Sequence, residues 1–336
     1  MKLLPLPAFT RLFGASTATL IFADVACAPV AQASTVVIGE ATATNIRVSA
    51  DVSGQVDLLE IIPVTVGGAA QLALNDTSMS SPLPGSISAN SLSESETVGL
   101  ELDADAGTDA NAVGVTSFSD VDGNPGPRLT DGDAFLTEAN VSVGLSGVVS
   151  PVIELGLTSL PANTIQATST ITGDGVIGMT ALAESNLLTS ASALSLSILG
   201  FNIPDVTLTA LSNGGGQLLL AGTILEVDPT LLADGILITG TISIIADQIF
   251  ENPPNPGTDD FYAFAQAIGL QVDIDVNAQI TELDATELLT LVNTDLDIVS
   301  SIVINDTSAM MITPEPGKGV LLALGLLGLV IRRRRR

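Results

Sequence analysis

The side chains best suited to bind a ligand in this sequence are carboxylates and amides near residue 120. Asp120, Asp122 and Asn124, followed by Asp131, place oxygen atoms at alternate positions in a segment with several glycines. Oxygen ligands at this spacing are typical of calcium loops. Pro125 occupies the position where an EF-hand needs its turn glycine, so the spacing predicts either an irregular calcium loop or ordinary solvated acids in a turn.

Two further groups of acids could also either bind a metal or lie exposed to solvent. Asp103 and Asp105, followed by Asp109, have a similar spacing and are predicted either to bind calcium or to lie in a solvated turn. Asp273 and Asp275 alternate with apolar residues. That alternation favours the exposed face of a strand, whose charge would block edge pairing, over a metal site.

The amino-acid composition excludes most common catalytic mechanisms. The chain has 336 residues with no His, one Cys and 37 Asp plus Glu against 10 Lys plus Arg. Without histidine there is no Ser-His-Asp or Cys-His nucleophile system, no imidazole-bound zinc and no histidine general base. A carboxylate-based enzyme of the glycosidase type remains compatible with this inventory, but so many acids make carboxylate pairs commonplace. We therefore predict no catalytic residue and no cofactor, except calcium under the interpretation above.

The first 33 residues have the features of a secretory signal peptide. Lys2 and Arg11 form a positive n-region, and residues 12–23 are mostly apolar, as in a signal helix. Ala31 and Ala33 form an A-x-A cleavage site before Ser34, which we expect to be the mature N-terminus. The single cysteine would leave with the signal, so the mature protein would contain no disulfide.

The C-terminal 23 residues combine three features of different kinds. Pro314, Glu315 and Pro316 precede an apolar run over residues 319–331. The chain then ends in a basic cluster formed by Arg332, Arg333, Arg334, Arg335 and Arg336. This arrangement resembles the PEP-CTERM sorting signal, with Lys318 as a departure from its usual pattern.

The resemblance implies a route of export. Proteins with this signal are recognised by an exosortase, which processes them during export in Gram-negative bacteria that make extracellular polysaccharide. Thirteen apolar residues form a helix of only about 20 Å, shorter than the hydrocarbon core, so we expect a transient anchor. The positive-inside rule keeps the arginines in the cytoplasm, which predicts an inner-membrane intermediate with its body outside the cytoplasm, and then the cell surface or extracellular matrix.

Residues 34–313 form the predicted extracellular body, and it is strongly acidic. Asp24 and Glu315 lie outside this range, as do Lys2, Arg11, Lys318 and the five terminal arginines, so 35 acids remain against Arg47 and Arg128, a net charge of −33. Such a surface argues against nucleic acid and anionic membranes as partners. It favours either solubility in salty surroundings or the collection of divalent cations.

The body is predicted to be mainly β, an antiparallel sandwich with minor helices. Residues 270–280 alternate strictly between apolar and polar, which indicates a half-buried strand, and shorter alternations include 194–198, 206–210 and 236–244. Segments rich in Pro, Gly and Asn separate these strands, and the chain has a candidate subdivision near residues 81–133. Short helices are predicted over 228–235 and 281–292. The body also loosely resembles exported proteins of the choice-of-anchor type.

One segment of the sequence has an echo 230 positions later. Leu72–Ser78 reads LALNDTS and Ile302–Ser308 reads IVINDTS. A single match is not a repeat architecture, and we expect two strands that end in similar Asx turns.

Three functions are compatible with these features. The first is a non-enzymatic, exported surface or matrix protein, sorted by an exosortase and associated with extracellular polysaccharide or biofilm. The second is a calcium-dependent adhesin or carbohydrate-binding module. The third is a polysaccharide-processing enzyme that uses carboxylates.

Overall fold

A computed structural model describes the central part of the chain. The described residues are 38–58, 62–80, 85–89, 91, 93–97, 100–106, 113–121, 128–145, 149–173, 179–213, 223–227, 231–233, 236–252, 262–280 and 291–312. The predicted signal peptide, the cleavage site at Ser34 and the whole sorting signal from Pro314 lie outside these residues.

Strands account for most of this part of the chain. In chain order they are β1 (Ile38–Leu58), β2 (Ile62–Ser80), β3 (Gly85–Ala89), β4 (Ser93–Thr97), β5 (Leu100–Ala106), β6 (Gly114–Asp120), β7 (Arg128–Leu136), β8 (Glu138–Leu145), β9 (Val149–Ser159), β10 (Ile165–Gly173), β11 (Met179–Ser185), β12 (Ala191–Ile198), β13 (Phe201–Asn202), β14 (Thr223–Val227), β15 (Leu231–Ala233), β16 (Ile236–Asn252), β17 (Tyr262–Ile280) and β18 (Leu291–Ile312). Two short helices accompany them, α1 (Leu187–Ser190) and α2 (Leu208–Asn213).

The strands form three open antiparallel sheets, which confirms the prediction of a mainly antiparallel β body. The large sheet has the order β14-β16-β17-β18-β1-β2, and β15 also pairs with β16. The first small sheet has the order β11-β10-β7-β6-β3, and the second small sheet has the order β13-β12-β9-β8-β5-β4. The described strands of the candidate subdivision at 81–133 are shared between the two small sheets.

A row of residues crosses the large sheet where the pairing of its five long strands is interrupted without a change of register. This cross-strand row consists of Asp247, Gly269, Asn305, Asn45 and Asn75. Asp247, Asn305 and Asn75 have φ angles of 51°, 53° and 51°, in the left-handed region that few residues other than Gly, Asn and Asp adopt. The row divides the large sheet into two halves that pack differently.

The half that contains β1 residues 38–44 packs against the first small sheet through small side chains. Ala263, Ala265 and Ala309 are fully buried there. A Cβ atom at Gly132 of β7 would lie 2.6 Å from the Thr42 carbonyl oxygen, so the two sheets approach too closely for larger residues. We call this part the alanine half.

The other half, which contains β1 residues 46–58, packs against the second small sheet through larger aliphatic side chains. The predicted alternation over 270–280 is confirmed, because Leu270, Val272, Ile274, Val276 and Ala278 are all buried. They belong to one continuous core with residues of β5, β8, β9 and β12. We call this part the isoleucine half, and its opposite surface faces outward.

The sequence echo marks the same structural element twice, and the prediction that both strands end there is wrong. β2 continues to Ser80 and β18 to Ile312, beyond the left-handed residues Asn75 and Asn305. At these positions the side-chain amides bond to neighbouring segments: Asn75 Nδ2 donates to the Ser91 carbonyl at 3.0 Å, and Asn305 Nδ2 donates to the Ile165 carbonyl at 2.9 Å. The predicted Asx turns are also absent, because Asn75 Oδ1 has no hydrogen-bond partner among the described residues and Asn305 Oδ1 accepts from the side chain of Asn45.

The following threonines of the echo are also equivalent. Thr77 Oγ1 and Ser117 Oγ share a 2.7 Å hydrogen bond, and Thr307 Oγ1 and Ser169 Oγ share one of 2.8 Å. All four residues are buried. Each copy of the echo therefore fixes the large sheet to the first small sheet through one buried hydroxyl pair.

The strand predicted over 206–210 is wrong, because Leu208–Asn213 forms α2. Thr207 begins this helix: its Oγ1 accepts a hydrogen bond from the Ala210 N–H at 3.1 Å, and its carbonyl oxygen accepts one from the Leu211 N–H at 2.8 Å. A threonine cap therefore outweighed the short apolar alternation.

The helix predicted over 228–235 is also wrong in its described part. Leu231–Ala233 is β15, and Ala233 pairs with Ile236. The two residues between them are Asp234 and Gly235, a dipeptide that favours two-residue hairpin turns. Most of the helix predicted over 281–292 lies outside the described residues, but its last two residues, Leu291 and Val292, begin β18.

Candidate functional site: the outward groove of the large sheet

The outward face of the isoleucine half carries a concave surface of mixed polar and apolar side chains. Two neighbouring rows of side chains run across five strands there, one formed by Ala69, Asp51, Val299, Asp275 and Thr241, the other by Gln71, Ser49, Ser301, Asp273 and Ser243. They line a cavity of about 730 Å³, which we call the outward groove. The sequence places these residues outward because each alternates with a buried apolar or small neighbour.

The centre of the outward groove combines an apolar side chain with two carboxylates. Val299 is 51% exposed. It is the direct cross-strand neighbour of Asp51 on one side and Asp275 on the other, and both of these are exposed. An apolar surface between two acceptors suits a ligand with C–H faces and hydroxyl groups, as in a sugar chain.

A third carboxylate of the outward groove is held in place. Asp273 accepts hydrogen bonds from Ser301 Oγ at 2.6 Å and from Gln271 Nε2 at 2.8 Å. Asn277, in the row beyond Asp275, donates to Asp295 at 2.6 Å and to Asp297 at 2.9 Å. These bonds orient the polar side chains before any ligand arrives, which lowers the entropy cost of binding.

The interpretation of Asp273 and Asp275 as an exposed strand face is correct, but the purpose assigned to it is wrong. β17 lies between β16 and β18 in the large sheet, so it has no free edge for these carboxylates to protect. The charges of Asp273 and Asp275 lie on the outward face of the sheet and not at an edge.

The structure describes two of the four residues of the predicted calcium loop. Asp120 ends β6 opposite Leu129, and Asp131 lies two positions further along β7 on the same outward face of the first small sheet. Asp131 accepts a 2.5 Å hydrogen bond from Thr170 Oγ1. Asp122 and Asn124 lie outside the described residues, so calcium binding stays a prediction. Among the residues that the structure places, no three Asp, Glu or Cys side chains converge as a metal site would require.

Asp133, next to Asp131 on the same face of β7, has an altered proton affinity. Burial raises the pKa of the Asp133 carboxyl, and the charge of Asp131 raises it further. A hydrogen bond from Gln166 Nε2 at 2.9 Å opposes these effects. The charged form of Asp133 is therefore disfavoured by its surroundings.

The acids at 103 and 105 lie in β5, a regular strand, and the prediction of a turn there is wrong. With Glu154 of β9 they line a second, smaller depression of about 290 Å³ on the outward face of the second small sheet. Glu154 accepts a 3.2 Å hydrogen bond from Ser197 Oγ. Asp109 lies outside the described residues.

Sequence reasoning missed Asp51, Val299 and Ser301 as residues of the site. Their alternation with Ala50, Val52 and Ile298 is visible in the sequence and would have placed them outward. Their adjacency follows from the pairing of β1 with β18, which joins segments about 250 positions apart and has no local signal.

This chain was compared with family models, curated proteins and solved structures. No family model matches it, and no curated protein matches it. Among solved structures, the outer membrane protease OmpT from Escherichia coli aligns over 83% of this chain and 96% of its own, with 8% identity and a TM-score of 0.17. A likeness at that score carries no argument about fold or function. In the described part of the chain, none of the helices is long and apolar enough to cross a membrane.

Proposed function

We propose that this chain is a non-enzymatic, exported surface or extracellular-matrix protein whose outward groove contacts extracellular polysaccharide. It has a β-sandwich-like body, an N-terminal signal helix and a short C-terminal membrane helix. An exosortase sorts it through Pro314, Glu315, Pro316 and the terminal arginines.

The observation that supports this function best is the composition of the outward groove. Exposed Val299 lies between the carboxylates of Asp51 and Asp275, on a surface that also contains Asp273 and Ser, Thr, Gln and Ala residues. Neutral polysaccharides offer many hydroxyl donors and C–H faces, and carboxylates accept strong hydrogen bonds from hydroxyls. A groove across five strands suits a chain more than a compact small molecule.

The charge of the body supports an extracellular role. With a net charge of −33 over residues 34–313, the body has almost no cationic groups for phosphate or nucleic acid. Arg47, one of its two arginines, pairs with Asp306 at 3.1 Å. Neutral or hydrated polymers and divalent cations are the partners that such a surface tolerates.

Binding of the full chain to extracellular polysaccharide purified from the host tests the groove. We expect Asp51→Asn with Asp275→Asn to weaken binding at least tenfold, because each change weakens a charge-assisted hydrogen bond of about 1.5–3 kcal/mol. The matched control is Asp103→Asn with Glu154→Gln, which removes the same charge from the second small sheet and should bind as the wild type does. Equal loss in both variants, or no binding by the wild type, would refute the groove assignment.

The second candidate, a calcium-dependent adhesin, has one structural observation in its favour. Asp120 and Asp131, from the two ends of the predicted loop, lie on neighbouring strands and face the same side of the first small sheet. A cation between them would also neutralise local repulsion in an acidic body.

A further inference from the structure

The first of the two rows that line the outward groove alternates in chemistry from strand to strand. We call it the Val299 row, and in spatial order it consists of Ala69, Asp51, Val299, Asp275 and Thr241. All five residues are exposed. An apolar side chain precedes each carboxylate in this order, so the same kind of group recurs on every second strand.

The alternation in the Val299 row has a defined length. Asp51 and Asp275 lie on β1 and β17, which are separated by β18. Neighbouring strands lie about 4.8 Å apart, so the two carboxylates are separated by roughly 10 Å. An extended polysaccharide with β-1,4 linkages is a flat, two-fold ribbon that advances by nearly the same distance for each sugar as the sheet does for each strand. The ribbon and the Val299 row therefore match in step, and both repeat after two units.

The same alternation does not occur along the strands. On β1 the outward residues Ser49, Asp51 and Ser53 are all polar. Outward residues of one strand recur about every 6.8 Å because they alternate with buried ones, and this step is longer than one sugar of an extended chain. The pattern therefore favours a chain that runs across the strands, parallel to the Val299 row.

The second row of the groove offers hydrogen bonds along one side of such a chain. Its residues are all polar, namely Gln71, Ser49, Ser301, Asp273 and Ser243. Among the described residues that line the groove, none is basic. A uronate or sulfate group would therefore meet uncompensated negative charge there, which favours a neutral chain.

We propose that the outward groove binds a neutral, two-fold glycan chain of the β-1,4-linked hexose type, which lies across the strands along the Val299 row. Successive sugars lie over successive strands. The sugars over β1 and β17 donate hydroxyl hydrogen bonds to Asp51 and Asp275, and the sugar between them packs a C–H face on Val299. This inference rests on the proposed function and adds to it the shape and direction of the bound chain.

Calorimetric titration of the full chain in mild detergent with hexasaccharides of equal length tests the shape. The probes are cellohexaose, β-1,4-mannohexaose and chitohexaose, which form two-fold ribbons, and maltohexaose, whose α-1,4 linkages produce a helix. We expect at least one ribbon to bind at least tenfold more tightly than maltohexaose, because a helical chain cannot reach both carboxylates and Val299 in one line. Equal binding of all four, tighter binding of maltohexaose, or no binding by any ribbon would overturn the inference.

An exchange of two neighbours in the Val299 row tests its period. Val299→Asp with Asp275→Val keeps the composition and charge of the groove but places two carboxylates side by side. We expect this exchange to weaken ribbon binding at least tenfold. The matched control, Ser142→Glu with Glu154→Ser, exchanges an acid with its cross-strand neighbour on the second small sheet and should bind as the wild type does. Undiminished ribbon binding after the exchange in the Val299 row would contradict the proposed period.

The outcomes also separate this inference from the proposed function. If host polysaccharide binds through Asp51 and Asp275 but no ribbon exceeds maltohexaose, the groove assignment stands and the two-fold shape is wrong. If neither host polysaccharide nor any hexasaccharide binds, both are wrong.

Discussion

Asn75 Nδ2 donates a 2.7 Å hydrogen bond to Asn45 Oδ1 at the point where the pairing of β1 with β2 is interrupted. On the other side of β1, Asn45 Nδ2 donates to Asn305 Oδ1 at 3.0 Å. All three asparagines are buried. This amide chain joins three neighbouring strands where the sheet changes from its alanine half to its isoleucine half, and it explains why the same motif occurs twice in the sequence.

Replacement of the central asparagine should be severe. Asn45→Ala removes the bond to Asn75, and it also removes the donor to Asn305, to the Phe135 carbonyl at 3.1 Å and to the Gly114 carbonyl at 3.3 Å. Unsatisfied buried groups cost about 1–3 kcal/mol each, so we expect a loss of at least about 3 kcal/mol in the free energy of unfolding. Denaturant titration measures it.

Asn277→Ala is the control for this prediction, because it removes two amide hydrogen bonds on the exposed face. We expect a loss of only about 0.5 kcal/mol there. Similar losses for Asn45→Ala and Asn277→Ala would show that the buried amide chain does not stabilise the fold.

Because Asn305 has a left-handed backbone conformation, we expect glycine to be more stable than alanine at this position, which is the reverse of the usual order in a strand. Both Asn305→Gly and Asn305→Ala remove the side-chain bonds, but only glycine tolerates φ of 53° without strain. We expect Asn305→Ala to be less stable than Asn305→Gly by about 1 kcal/mol. At Ser300, in the regular part of β18, the order should reverse, since glycine weakens an ordinary strand. The same order at both positions, measured by thermal unfolding, would contradict the account.

Asp133 predicts a specific dependence of stability on pH. Its pKa is raised on folding, so the folded state binds the proton more tightly than the unfolded state. Stability is therefore lost as pH rises from the unfolded pKa near 3.8 through the folded pKa, and the full cost remains at neutral pH. Asp133→Asn keeps the acceptor for Gln166 and removes this cost, so it should be more stable than the wild type at pH 7.

The gain from Asp133→Asn should shrink as pH falls below the unfolded pKa, where the carboxyl is protonated in both states. Asp120→Asn, an exposed change on the same face, is the control and should show a smaller gain at pH 7. Parallel stability curves for the wild type and Asp133→Asn at all pH values would refute the assignment.

The calcium interpretation predicts a metal-specific stabilisation. A ligand that binds only the folded state at one hundred times its Kd adds about 2.7 kcal/mol, so calcium should raise the Tm of the full chain. Zinc and sodium should not reproduce the rise, and Asp120→Asn should reduce it. An unchanged Tm in calcium would exclude this interpretation.

The sequence predicted local secondary structure better than it predicted which strands pair. The alternation over 270–280 has period two for eleven residues, and packing confirmed it because one face meets a continuous core. The alternation over 206–210 was too short to outweigh the cap at Thr207, and Asp234-Gly235 was not recognised as a hairpin signal. The outward groove could not be predicted, because Asp51, Val299 and Asp275 become neighbours only through strand pairings that no local pattern encodes.

The central claim, an exported protein sorted through its C-terminal signal, is tested most directly by the intact mass and cell fraction of the protein in its host, with and without the exosortase. We expect the wild-type form to lie outside the cell without its first 33 residues and without the arginine cluster, and the cluster to be retained when the exosortase is absent. An arginine cluster that persists in the membrane fraction of both strains would contradict the account.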